Sequence, residues 1–287
     1  MYVKPSERVC MQAAVSTTVI DGMDFARGAR VLAEAGATEV EPAYIDGYTP
    51  FDEATFSAAN GRAVAALFAA EGLSIRAMSA HTDLGRADGA DRLLRRLTFA
   101  AAMGAGTVIS NATASGNLDG LLRTLETVVP ELEAAGIVLA LENPGHGSEA
   151  LLPDGAAGAS FVASFGSPWV RFNYDIGNAV TYSGGRIDLA ADLAAVRGQA
   201  SRLHLKDVAV TGADWTFCPI GEGFVGYGER VDRSVLEGLP LTVEHPIRLH
   251  RPGRGDPVRR AEAPTEAEIR VALAASATAL DRLLSGD

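Results

Sequence analysis

Two cysteines in 287 residues, Cys10 and Cys218, cannot build a disulfide framework, and such low cysteine usage points to a reducing interior. No run approaches the ~18 consecutive apolar residues of a membrane span. The N-terminal Met-Tyr-Val-Lys-Pro-Ser-Glu-Arg lacks the apolar stretch of a secretory signal. These absences predict a cytoplasmic protein with no membrane partner. Basic residues are also scarce: 25 Lys and Arg stand against 36 Asp and Glu, a net charge of −11. That balance argues against a nucleic-acid surface. The length fits one large α/β barrel or two ordinary domains, and no break in composition marks a boundary, so 1–287 reads as a single domain.

What is present is a repeating alternation. Strand-like runs at 9–16, 38–42, 74–81, 107–111, 137–142, 170–175, 203–206 and 241–244 alternate with helical runs. The helical runs lie at 24–35, 55–71, 88–103, 118–135, 159–165, 189–196, 233–236 and 265–284. Several helical runs stop at a glycine, and Thr265 with Glu268 forms a capping-box pattern ahead of the last one. Eight strands alternating with eight helices predict an α/β fold, a parallel (β/α)8 TIM barrel with its helices outside.

Four of these strands end in a metal-ligating side chain: Glu142, Asp175, His204 and Glu244, separated by 33, 29 and 40 residues. Each gap is about one βα unit. Side chains alternate across a strand. Glu142 therefore shares a face with Ala140, His204 with Lys206, and Glu244 with Thr242, while leucines and Val243 occupy the opposite faces. With the apolar face turned to the helices, the four ligands converge on the mouth where barrel active sites lie. Three oxygen donors and one nitrogen, with no thiolate, suit one divalent ion: Mn2+, with Mg2+ or Co2+ as alternatives.

Other residues are candidates for substrate contact. His81 and Lys206 face inward at their strand ends, and Glu41 does so on the second strand. His146 lies four residues beyond Glu142 in a Gly-rich loop, where it could act as a base or acid or simply be solvated. Trp169 and Trp215 could stack on a sugar or pack in the core or rim. Residues 245–264 form a long connection carrying Arg248, Arg251, Arg254, Arg259 and Arg260. Such a segment could cover the mouth, bind an anionic group, or dock a neighbouring subunit in a homo-oligomer or with a partner chain.

The pieces Leu-Glu142-Asn, Asp175-Ile-Gly-Asn178, His204-Leu-Lys-Asp207, Pro-Ile-Gly-Glu-Gly223 and Val-Glu244-His resemble the xylose-isomerase-like superfamily of TIM barrels, and in particular its sugar phosphate isomerase/epimerase group. The resemblance spans about residues 9–284. It implies that Glu142, Asp175, His204 and Glu244 bind one divalent metal, often Mn2+, and that Glu142 and Glu244 form the acid/base pair. It also implies a small-molecule sugar or polyol substrate. The family's ketose epimerases carry a histidine where Asn178 stands and an arginine where Val210 stands, both positioning substrate. These departures point away from a simple ketohexose 3-epimerase. The superfamily also contains dehydratases and lyases acting on keto-inositols and 3-keto-glycosides, for which His146 would be a candidate base or acid. The endonuclease IV branch needs more histidine ligands than five histidines supply. The shared chemistry is proton abstraction beside a carbonyl polarised by the metal, with epimerisation, isomerisation or elimination as outcomes. A non-catalytic sugar-binding barrel is the reading outside enzymology.

Overall fold

The computed structural model describes residues 10–46, 48–147 and 149–286. The start of the first expected strand at residue 9, and the N-terminal segment read for a signal, lie outside the described residues. The first described strand is β1 (Ala14–Ser16), followed by α1 (Phe25–Glu34), which Asp24 caps by accepting from Arg27 N at 2.9 Å. The second expected strand is observed as two pieces, β2 (Glu39–Glu41) and β3 (Ala43–Ile45), interrupted at Pro42, which has no N–H to donate. The third is likewise β4 (Ser74–Ile75) and β5 (Ala77–His81), with α2 (Ala58–Ala70) before it and α3 (Gly89–Met103) after it. Then come β6 (Thr107–Asn111), α4 (Leu118–Ala135), which is continuous through Pro130, and β7 (Val138–Glu142). Next are α5 (Gly155–Phe165) and β8 (Val170–Asp175), then α6 (Ile176–Tyr182), α7 (Leu189–Val196) and β9 (Ala200–Leu205).

After β9 the chain makes an antiparallel hairpin, β10 (Asp207–Thr211) and β11 (Asp214–Cys218). It returns through α8 (Arg233–Leu236) to β12 (Leu241–Val243), continues into β13 (Leu249–Arg251) and β14 (Val258–Arg259), and ends in α9 (Glu266–Ser285) with the expected capping box. The parallel sheet runs β3-β5-β6-β7-β8-β9-β12-β1-β2-β4. Its two ends join because β2 with β3, and β4 with β5, are successive pieces of the same two runs. The ten strands therefore occupy eight positions of a closed TIM barrel.

The faces divide as alternation requires. Leu139, Leu141, Leu203, Leu205, Leu241 and Val243 belong to the large core between sheet and helices. Ala77, Ile109 and Ala140 form a separate small cluster inside the barrel. Glu142, in phase with Ala140, is thereby fixed on the inner face.

A second, four-stranded antiparallel sheet, β10-β11-β13-β14, stands on the end of the barrel from which β9 and β12 emerge. The arginine-rich connection is thus largely regular structure, and Arg248, Arg251 and Arg259 in it are engaged in hydrogen bonds. Arg259 donates to Asp21 at 2.7 and 2.6 Å, and Arg248 donates to the Arg260 and Ala261 carbonyls at 2.9 and 2.6 Å. Arg251 donates to the Gly255 and Arg254 carbonyls and to Gly145. Trp215, 1% exposed, has the Arg251 and Arg254 guanidiniums over its ring at 5.3 and 5.1 Å from the centroid. It is a packing residue of this cover. Trp169 packs against the main core at the start of β8.

Candidate metal centre

Glu142 ends β7, Asp175 ends β8, His204 lies near the end of β9, and Glu244 follows β12. Each offers a ligand atom, and these atoms all lie within 4.8 Å of one another, with all four residues buried. Local sequence explains how Asp175 is presented. It is both the last residue of β8 and the N-cap of α6, accepting from Asn178 N through Oδ1 at 2.7 Å. Its backbone N–H donates to Asn143 Oδ1 at 2.9 Å. Gly177 lets this turn form: a Cβ there would sit 2.6 Å from the Lys206 carbonyl oxygen and 2.7 Å from Lys206 Cβ. Asp175 Oδ2 is left buried without a well-directed hydrogen-bond donor, although Lys206 Nζ is 2.8 Å away.

His204 is held on both edges. Its Nδ1 lies 3.0 Å from Glu142 Oε2 and 3.1 Å from Glu244 Oε2, and its Nε2 lies 3.0 Å from Glu41 Oε1. Glu41 is fully buried and also accepts from Ser79 at 2.7 Å and Thr242 at 2.8 Å, with Arg202 Nε at 3.6 Å. Glu41 was expected to touch substrate. It instead lies behind His204, because Glu41 ends β2 one residue before the Pro42 break and its side chain stays inside the barrel. A carboxylate behind a histidine orients the ring and leaves the other nitrogen free to ligate.

Burial alone would raise Glu41, but the His204 ring and the Arg202 guanidinium hold it down at about 2. Burial disfavours charge on His204, yet Glu41 and Glu142 raise it well above the ordinary histidine value. Burial pushes Asp175 up to about 6 against the pull of Lys206. Glu244 would rise on burial too, but Lys206 and His204 hold it well below the usual range. Lys206 is buried with its charge, which Asp175 and Glu244 raise above the ordinary lysine value. Lys206 Nζ contacts Asp175 Oδ2 at 2.8 Å, Glu244 Oε1 at 3.0 Å and Asn178 Oδ1 at 3.0 Å.

The donor set fits a divalent cation. Glu41, Glu142, Asp175 and Glu244 supply four negative charges, while Arg202 and Lys206 supply two fixed positive ones. One divalent ion balances this interior with His204 neutral. Buried carboxylates so close together need such compensation.

Above the cluster lies a cavity of about 340 Å³. Its wall includes His81, His146, Asn178, Lys206, Glu142 and Glu244. The structure brings all the candidates together, with Glu41, Asp175 and His204 beneath the cavity rather than in its wall. His81 Nε2 is 3.9 Å from Glu142 Oε1, and its Nδ1 meets Asn111 Oδ1. Asn178 Nδ2 donates to Glu142 Oε1 at 3.3 Å and to the Asn143 carbonyl at 3.0 Å.

Three residues beyond the sequence reading also serve the site. Asn173 donates to Glu142 Oε2 at 2.5 Å. It lies two positions before Asp175, so strand phase puts it on the same face, although its bond to Glu142 is a tertiary contact. Asn111, the last residue of the 107–111 run, meets His81 from the neighbouring strand. Tyr48, in the cavity wall, carried no sequence signal. In the segment after β11 the backbone N–H groups of Gly221, Gly223 and Val225 donate to the Asp207 carboxylate at 3.0, 3.0 and 3.1 Å.

The xylose isomerase-like TIM barrel family profile matches residues 29–273, and the chain belongs to that family. No curated protein matches it by sequence. Among solved structures it is similar to an L-ribulose 3-epimerase (15% identity, TM-score 0.69, covering 96% of this chain and 94% of that one). It is similar also to AsbF of Bacillus anthracis, assigned as a 3-DHS dehydratase (12% identity, TM-score 0.67, covering 94% and 99%). A third is the IOLI protein with a bound zinc atom (14% identity, TM-score 0.67, covering 96% and 99%). At these identities the likeness establishes the fold. Among the described residues no helix is long and apolar enough to cross a membrane.

Proposed function

We propose that this protein is a divalent-metal-dependent isomerase or epimerase of a small sugar or polyol. The ion is held by Glu142, Asp175, His204 and Glu244, with Mn2+ as the first choice and Mg2+ or Co2+ as alternatives. The observation that carries the reading is the convergence of Glu142 and Glu244. They leave the barrel three strand positions apart, on β7 and after β12, yet both reach His204 Nδ1 and both line the cavity. A divalent ion bound there supplies Lewis-acid polarisation of a substrate carbonyl. One glutamate takes the proton from the carbon beside that carbonyl and the other returns one, each from its own side. The Lys206 charge beside it keeps Glu244 ionised and able to act as a base at neutral pH. His81, Asn178 and Lys206 present hydrogen-bond groups at the cavity surface for hydroxyls, consistent with a polyol.

Glu142→Gln and Glu244→Gln each keep an oxygen donor and lose the basic carboxylate. Both are expected to lower turnover by at least about 10²–10⁴-fold while retaining most of the metal. Wild-type protein is expected to exchange a carbon-bound hydrogen of its substrate with deuterated solvent, read by NMR. Wild-type turnover in both variants would refute the paired-glutamate chemistry. A lyase or dehydratase on a keto-inositol, keto-sugar or 3-keto-glycoside is the second reading, favoured by His146 in the same cavity wall. Tolerance of Glu244→Gln together with an inactive His146→Ala would move elimination ahead.

A further inference from the structure

One chain of polar side chains runs outward from the cavity wall and has no part in the paired-glutamate chemistry above. The Tyr48 hydroxyl lies 2.7 Å from His146 Nε2, and His146 Nδ1 lies 3.3 Å from Asp256 Oδ1. The three residues come from loops after β3, β7 and β13 and meet only at the mouth. They are also ordered from inside to outside. Tyr48 and His146 line the cavity, the His146 side chain is 42% exposed, and that of Asp256 is 79% exposed. Asp256 can only accept, so its carboxylate beside Nδ1 favours the tautomer with hydrogen there, in which Nε2 is the acceptor for the Tyr48 O–H. Burial raises the Tyr48 phenol to about 12 against the opposing pull of Lys206, and burial also lowers His146. Both are therefore neutral near pH 7. With its hydrogen directed at His146, Tyr48 presents oxygen lone pairs to the cavity. This is the arrangement of a hydroxyl activated by a histidine whose tautomer a carboxylate fixes.

We propose that Tyr48 is a catalytic residue that moves the proton carried on a substrate oxygen, with His146 and Asp256 as its positioning residues. The proposal rests on reading the mouth as an isomerase site, and it adds a division of labour. The glutamates handle the carbon-bound proton, and Tyr48 handles the oxygen-bound one. Isomerisation of a hydroxy ketone to its neighbour requires both. After the first glutamate has taken the carbon proton, one oxygen of the enediolate carries hydrogen and the other does not. The O–H bond breaks, its proton passes to the Tyr48 oxygen, and the Tyr48 proton passes to His146 Nε2. The electron pair left on the substrate oxygen forms the new C=O, and the C=C pair takes a proton from the glutamic acid at the adjacent carbon. His146 then returns its proton through Tyr48 to the second oxygen. Atoms and charge balance with no added co-reactant.

The test uses the full chain with Mg2+ as the probe ion and a panel of C5 and C6 ketoses and keto-inositols in deuterated water. In Tyr48→Phe, solvent deuterium should still enter the carbon position at near the wild-type rate, while isomer formation falls by about 10²–10⁴-fold. Asp256→Asn should shift the same ratio in the same direction by less. A structural role would lower exchange and product together, and that result, or no change in either, would overturn the proposal. Nitrogen-resolved NMR of the imidazole supplies an arm free of substrate: wild-type His146 should carry its hydrogen on Nδ1. A hydrogen on Nε2 would overturn the relay whatever the substrate panel gives. Absence of exchange by wild-type protein across the panel would defeat the isomerase reading, and the imidazole tautomer then decides the relay separately.

Discussion

Glu41 sits behind His204 rather than in the cavity, and that position defines its role. It meets Nε2 while Nδ1 faces two of the carboxylates that would share an ion with it. Its partners Ser79, Thr242 and Arg202 fix its own orientation in turn. Such outer partners typically set metal affinity by about 10–100-fold when removed. Glu41→Gln keeps the volume and weakens the hold on the ring. It is expected to reduce metal affinity by about that factor without abolishing binding. Isothermal titration with Mn2+ checks this, and unchanged affinity would make Glu41 a filler of the barrel interior. The four residues of the candidate metal group are legible in the sequence because each closes a strand-like run in the same phase. Tyr48 is not: it lies on no periodic element, and its partners His146 and Asp256 are 98 and 208 residues away.

At the scale of elements, the eight barrel positions were legible because a period of two alternating with a period near 3.6 survives in the residues themselves. The departures have local physical causes. The run Leu-His-Leu-Lys-Asp-Val-Ala-Val-Thr reads as one strand followed by loop, yet it bends at Lys206 and continues as β10. The turn is enforced by burial of Lys206 among Asp175, Glu244 and Asn178, which is a tertiary effect. Helix α6 was unforeseen because Gly177, Asn178, Val180 and Thr181 are poor helix formers. The Asp175 cap holds it together with Thr181 Oγ1 donating to the Gly145 carbonyl at 2.9 Å.

The arginine-rich segment is tied to the barrel through Asp21, which binds Arg259 through two hydrogen bonds and faces Arg248 at 3.7 Å. Leu249, Arg251 and Pro257 of that segment line the cavity. Asp21→Asn is therefore expected to loosen the cover, raising KM several-fold with kcat less affected, and to speed proteolysis within 248–260. Identical kinetics and cleavage would show that the cover is held by β13 and β14 alone.

For the whole molecule, a net charge of −11 goes with a barrel interior in which four carboxylates stand against two fixed cations, a charge set that one divalent ion would balance. One divalent ion per chain is the proposed complement of that interior. Elemental analysis after equilibration with Mn2+ and removal of free ion tests this most directly, on wild-type chain and on His204→Ala. One ion per wild-type chain and loss of it in the variant is the predicted result. Full occupancy in His204→Ala, or none in the wild type, would contradict it.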